Sequence, residues 1–521
     1  MLAAVIAAQA FSSPSALSCR RQSRRVAFPR AVADAEPPGL SVGIDLGTTS
    51  SAIAVVRDGK PEVIVDGSGR RSLASRVSFG PDGTARVGDA AGPLAISSAK
   101  RLMGLTHEAA AATPRARALF AQQLTVLPNR GAGLRCPASD TVCAPEDVAA
   151  RVLETLLARA EAACGVRAER AVIGVPAHFT QPQREATRAA ANAAGLQKVR
   201  LLEEPVAAAL AYGLSGGADG GAPKEAEELV CVFDLGGGTL DVSLLDVGGG
   251  TIEVLSSAGE SWLGGDDFDA AIASHLAEAH SLGASHSRRA PSAELMRLAR
   301  QLKERLTVAR DASLPLPPAL LPAPTTRAAA DATATEDADA ADAADAGSGA
   351  NLTLSRKQLE ATCAALLEEM KQPVMRAAAQ AQVPLPGVLG EGLGEAQAAA
   401  AAAARRAAAA AAAAGGKRGS PKRKGRRVER VLLVGAASRM PAVAAELYAL
   451  TDVRAAVTAA VPPEYAVALG CAVQAAILDG SIEQLDVFNV MEAALLRGLA
   501  QGKAPTQRQK KGGRGTTRKR R

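Results

Sequence analysis

The sequence predicts an α/β fold of two lobes sharing one ligand site, and three observations predict it. A short motif is written twice: residues 41–54 read SVGIDLGTTSSAIA and residues 229–244 read LVCVFDLGGGTLDVSL. Each copy runs on into a turn and a third strand, DGKPEVIVD after the first and DVGGGTIEVLSS after the second. A chain of 521 residues is long enough to bury two or more cores.

Each copy reads as a β-hairpin with a carboxylate at its bend: an apolar β-branched strand, Asp-Leu-Gly, small residues with threonine, then an alternating strand. Glycines let backbone amides approach an anion, and threonine hydroxyls add donors. Asp45 and Asp234 leave oxygens for a hydrated divalent cation. Two unrelated hairpins with Gly-rich turns would explain either copy alone. The pairing favours a clamp on the phosphates of a metal-bound nucleotide.

At these residues the chain resembles the nucleotide-binding domain of the 70-kilodalton heat-shock chaperone family, heat shock protein 70. Four further stretches carry the likeness: residues 172–213, VIGVPAHFTQPQREATRAAANAAGLQKVRLLEEPVAAALAYG; residues 258–269, AGESWLGGDDFD; residues 428–443, VERVLLVGAASRMPAV; and residues 462–478, PPEYAVALGCAVQAAIL. Their order along residues 41–480 is more specific than any one of them. The resemblance implies an actin-like ATPase fold, each lobe a ribonuclease-H-like mixed sheet flanked by helices, with the nucleotide in the cleft. It implies ATP or ADP with Mg2+, K+ as an optional companion, a J-domain co-chaperone and a nucleotide exchange factor. Residues 37–227 would form lobe I, 228–427 lobe II, and 428–480 the adenosine-site strand with closing helices.

The same resemblance assigns roles residue by residue. Asp45, Gly47, Thr48 and Thr49 match the first phosphate loop, with Ser50 where the family has an aromatic. Asp234, Gly236, Gly237, Gly238, Thr239 and Asp241 match the second. Asp45, Asp234 and Asp241 become the candidate metal residues, Asp45 acting through water, while Asp234 and Thr239 position the attacking water. Glu204 matches an acid near metal and water, and Lys100 a lysine reaching the transferring phosphate; alone, the first reads as a helix cap and the second as a solvated helix face. For the adenosine, Gly264, Gly265, Lys303, Gly435, Ala436 and Arg439 match, Arg439 offering a guanidinium to stack on adenine. Residues 435–439 read Gly-Ala-Ala-Ser-Arg where the family has Gly-Gly-Ser-Thr-Arg, so base recognition is expected to be weaker than phosphate chemistry. The family's acid and arginine flanking Lys303 appear as Arg300 and Glu304. Arg184 and Pro205 match positions that pass the nucleotide state onward.

The flanks and insertions read differently from the body. Residues 1–10, MLAAVIAAQA, end in a small-x-small cleavage pattern before Phe11, and the stretch from Ser12 to Ala33 is rich in Ser and Arg and carries no acid. Residues 1–36 resemble the bipartite leader of algal plastid proteins, with a mitochondrial presequence as the alternative. Residues 328–350 hold six acids and no base, and residues 396–427 an alanine run broken by Arg405 and Arg406 before a basic stretch. They read as a disordered loop and as a solvated helix followed by a basic loop, both decorating the second lobe. The net charge of +7 lies in appendages: residues 1–36, 417–427 and 503–521 carry 21 of the 60 Lys and Arg and two of the 53 acids. An acidic body with basic ends argues against a specific nucleic-acid reader. Seven cysteines without metal-ligand spacing argue against zinc and a disulfide framework, and no segment has membrane-spanning character.

After residue 480 about 40 residues remain, read as a degenerate linker and basic tail over residues 481–521, too few for the family's peptide-binding domain. Client proteins would then be reached only indirectly. Three functions stay open at this point: a slow ATPase chaperone module assisting protein folding, a non-catalytic nucleotide-sensing scaffold, and a small-molecule kinase of the actin-like superfamily.

Overall fold

The computed structural model describes residues 40–215, 228–248, 251–280, 282, 292–317, 320, 351–388, 426–456, 461–480 and 486–488. In the first lobe, strands β1 (Leu40–Asp45), β2 (Ser50–Arg57) and β3 (Lys60–Val63) form an antiparallel meander with Ile44 opposite Ile53 and Asp45 opposite Ala52. Helix α1 (Pro145–Cys164) opens on a proline that needs no hydrogen-bond partner, and the Asp147 carboxylate accepts the Ala144 amide at 2.8 Å. It stops at Gly165, whose φ of 69° suits the left-handed cap. Next come β4 (Ala168–Val175), α2 (Gln181–Ala193), β5 (Lys198–Glu203) and α3 (Glu204–Ser215), the strand–helix–strand–helix order expected of residues 172–213. β4 and β5 run parallel to β1, giving a sheet ordered β5–β4–β1–β2–β3, with Leu73–Ala74 also pairing β2.

The second lobe repeats the plan. Strands β6 (Glu228–Leu235), β7 (Leu240–Gly248) and β8 (Thr251–Glu260) form the second meander, in which Asp234 stands opposite Asp241. Helices α4 (Gly265–Ala279), α5 (Ala293–Arg305) and α6 (Lys371–Ala381) follow, then β9 (Arg430–Val434), α7 (Pro441–Thr451), β10 (Ala455–Ala456), α8 (Ala466–Leu478) and β11 (Asp486–Phe488). The sheet order is β10–β9–β6–β7–β8–β11.

Strand periodicity divides each sheet between two cores. Val42, Ile44 and Ile173 face Leu153 and Leu156 of α1 and Ala190 of α2. Cys231, Phe233 and Leu433 face Phe268 of α4, Leu302 of α5 and Ala377 of α6. The opposite faces, Ala52, Ala54 and Val172 in one lobe and Val230, Val232 and Val434 in the other, share a third core with α3 and α8. The two helices therefore bind the lobes to each other.

This arrangement refines the expected boundaries. Residues 428–480 are not one closing unit: β9 completes the second sheet, whereas α8 packs on β1 and β2 of the first lobe. Within 481–521, residues 486–488 add a parallel edge strand to β8, so this part of the expected linker is paired. The leader 1–36, the insertion 328–350 and all but the last two residues of 396–427 lie outside the described residues. Among the described residues no helix is long and apolar enough to cross a membrane.

Candidate active site

The two Asp-Leu-Gly bends meet at a cavity of about 320 Å³. It is lined by Asp45, Gly47, Thr48 and Thr49 from the first bend and Asp234, Gly236, Gly237 and Thr239 from the second. Lys100, Glu204, Gly265, Lys303, Gly435 and Ala436 line it too. Close packing of backbone explains the glycines. A Cβ on Gly264 would fall 2.5 Å from the Gly237 carbonyl carbon, and one on Gly237 would overlap Thr49. Gly435 adopts φ 79° against the Leu235 carbonyl, a conformation and a clearance that favour glycine. Gly238 and Gly264 thus shape the wall without lining it.

Charge is concentrated where the two bends meet. Lys100 Nζ lies 2.9 Å from Glu204 Oε1 and 5.7 Å from the Phe179 ring centroid, and both charged side chains are nearly enclosed. Burial pulls the Lys100 pKa down, but Glu204 and Asp45 overcome it and hold the ammonium above its ordinary value. Burial also raises the acids: Asp45 is pushed up to about 7, with Glu204 adding repulsion, and Asp234 stands well above the usual carboxylate range. Glu204 is raised by burial against the pull of Lys100. Three crowded carboxylates beside one ammonium want a further cation. Among the described residues no three His, Cys, Asp or Glu approach closely enough to chelate an ion alone. This donor set suits Mg2+, which keeps several waters and leans on substrate phosphates.

Several expected residues are engaged elsewhere. Asp241 does not line the cavity: it is buried, with His178 Nδ1 2.6 Å from its Oδ1. His178 also lies 3.2 Å from Ser261 Oγ; burial pulls its pKa down, but the Asp241 bond together with the Asp241 and Glu204 charges raises it. Arg439 does not face the cavity either; its guanidinium forks onto Glu464 at 2.7–2.9 Å, and it is Glu464 that lines the wall. Arg184 donates to the Phe179 and Ala177 carbonyls and to Glu203, the residue before Glu204, while Pro205 is buried in the first turn of α3.

Two acids the sequence reading passed over, Asp266 and Asp269, complete the site. Thr49 Oγ1 donates to Asp266 Oδ2 at 2.9 Å across the lobes, and Arg300 bonds both Asp266 at 2.6 Å and Asp269 at 2.8 Å. Lys303 Nζ in turn lies 2.7 Å from Asp269 and donates to the Gly265 carbonyl at 2.8 Å. Asp266, Asp269, Arg300 and Glu304 all line the cavity. The acids of GGDDFD, one directly after two glycines and one a helix turn further on, were the available signal for Asp266 and Asp269. For His178 it was a titratable residue inside the crossover stretch.

A family model described as Hsp70 protein matches residues 41–324 and 421–502. The chain belongs to the Hsp70 family. Chaperone protein DnaK of Deinococcus proteolyticus is 35% identical over 468 residues, covering 88% of this chain and 62% of the relative. Chaperone protein DnaK 3 of a Synechococcus strain is 31% identical over 464 residues, covering 88% of this chain and 61% of the relative. A chaperone protein HscA homolog of Azotobacter vinelandii is 43% identical over 255 residues, covering 47% of this chain and 38% of the relative. The chain therefore spans about three fifths of the length of the DnaK relatives. Membership in the Hsp70 family brings the actin-like ATPase fold, in keeping with the paired sheets and the cavity between them.

Proposed function

We propose that this Hsp70-family chain binds ATP with Mg2+ in the interlobe cavity and hydrolyses it slowly, as the ATPase module of a chaperone that assists protein folding. The observation that carries this reading is the convergence of Lys100, Glu204, Asp45, Asp234 and Thr239 on one wall between two glycine loops. The loops would hold the phosphates through backbone amides and the Thr48 hydroxyl, the Thr49 hydroxyl being given to Asp266. Lys100 places positive charge where negative oxygens develop, and Glu204, held by Lys100, fixes that charge in position. Asp234 and Thr239 would orient the attacking water. Mg2+, when bound through Asp45 and Asp234, supplies neutralisation of the phosphate oxygens. K+ beside it, a J-domain co-chaperone and a nucleotide exchange factor complete the proposal, supported by family membership.

The test is single-turnover hydrolysis of ATP with Mg2+, run from pH 6 to 8.5. Because Asp45 is pushed up to about 7, it holds a proton below that pH which a cation must displace. Apparent Mg-nucleotide affinity should therefore rise as pH passes through about 7, by about tenfold per pH unit for each proton displaced. The nucleotide-free fold behaves oppositely. The raised carboxyl contributes its full stability below the ordinary value of 3.8 and loses it as pH rises through about 7. ATP bound but never hydrolysed would leave the nucleotide-sensing scaffold as the better account.

We also propose delivery to the plastid stroma, on the composition of residues 1–36. A reporter fused to those residues should enter plastids; accumulation in mitochondria or the cytosol would overturn this.

A further inference from the structure

Arg101 follows Lys100 in sequence but does not line the cavity. Its side chain is 4% exposed, so a permanent charge is buried in the seam where the lobes touch. Its compensation is thin: Nη2 reaches Asp267 Oδ2 only at 3.4 Å, and Nε has no hydrogen-bond acceptor among the described residues. What the guanidinium does have is an aromatic face, with its central carbon 5.1 Å from the centroid of the Trp262 ring. Arg115 fixes the same residue by donating to the Trp262 carbonyl at 2.6 Å and pairing with Glu369 at 2.8 Å.

The second phosphate loop rests on this arginine. A Cβ on Gly238 would fall 2.6 Å from Arg101 Nε and 2.5 Å from Thr48 Cγ2, so the loop is held between Arg101 and the first phosphate loop. Beside it, Thr49 donates to Asp266, the residue before Asp267. Two consecutive acids at the start of α4 thus each grip the first lobe, and both grips touch a phosphate loop. An incompletely paired buried charge is a poor source of stability, so Arg101 calls for a reason beyond holding the fold.

We propose that Arg101 is a positioning residue whose seat on Trp262 sets how long the closed lobes retain nucleotide. Nucleotide would leave only as the phosphate loops part, which lifts Arg101 off the ring and away from Asp267, leaving that carboxylate with the Gly264 amide at 2.8 Å. Trp262 is the sole tryptophan in the chain, so its emission reports the contact directly.

The proposal rests on the nucleotide binding proposed above, and the test reads the contact and the binding separately. In the nucleotide-free chain, Arg101→Gln should red-shift Trp262 emission and increase its quenching by acrylamide. With a fluorescent ADP, the same variant should release nucleotide about tenfold faster, the change expected on losing a cation–π contact and a charge-assisted bond. Hydrolysis of ATP already bound should not follow that change. Arg101→Lys, which keeps a cation near the ring, should recover most of the retention, and Trp262→Leu should reproduce the fast release. Unchanged release in Arg101→Gln and Trp262→Leu overturns the proposal. So does hydrolysis falling in step with release, which would make Arg101 part of the chemistry. A wild-type chain that binds no ADP overturns the gating role together with the proposed function; quenching that still rises in Arg101→Gln would then show the seam contact to be real but purely structural.

Discussion

Lys100→Ala should lower single-turnover hydrolysis by about 10²–10³-fold, the scale seen when a positioned donor to a transition-state oxyanion is removed. Lys100 Nζ is held 2.9 Å from Glu204, with Asp45 close enough to raise its pKa, so no rotamer search is needed to present the charge. Arginine is a poor replacement, because a planar fork cannot occupy the place of a compact ammonium that is 10% exposed. Removing one partner of a buried ion pair ordinarily costs about 3–5 kcal/mol of stability. Here the loss should be smaller, because Glu204 is already shifted toward taking up a proton and can neutralise itself. Melting curves beside the kinetics separate the two effects. Near-normal hydrolysis in a folded Lys100→Ala chain would show that the ammonium only neutralises Glu204.

Sequence made the two bends legible and left the far wall of the cavity and the seam obscure, for a physical reason. Phosphate loops are local: Asp45 through Thr49 and Asp234 through Thr239 are each set by one hairpin, so their chemistry can be read within six residues. Lys100 and Glu204 were placed through motif order, and the structure brings them within hydrogen-bonding distance. Contacts between distant segments carry no such mark. Arg439 could be read as a stacking group until Glu464, 25 residues away, is seen to hold its guanidinium. Asp241 matched a metal position by its place in the loop, yet the pleat of β7 turns it to His178 of the crossover. Arg101 and Trp262, 161 positions apart, become partners only when the lobes meet. The lobe boundary was blurred likewise: α8 follows the second sheet in sequence but packs on the first.

Two identical substitutions in the central helices should have opposite signs. Gly213→Ala, near the end of α3, adds a methyl with no atom within 4 Å and should stabilise the chain by about 0.5–1 kcal/mol through helix propensity and a less flexible unfolded state. Gly470→Ala, in the middle of α8, makes the same propensity gain but drives its methyl into the Ala207 carbonyl of α3. That obstacle is backbone, so no side chain can swing away, and the helices must separate. Overpacking of this kind costs about 1–3 kcal/mol or more, which outweighs the propensity term and should lower Tm by about 1–3 °C in a folded body of this size. The separation reaches the site as well. Glu204 opens α3, and the wall residues Pro463, Glu464, Tyr465 and Val467 lead into α8. Nucleotide affinity should therefore fall with stability in Gly470→Ala and stay unchanged in Gly213→Ala. A Gly470→Ala chain with unaltered Tm and affinity would mean that the lobes are not joined through this helix pair.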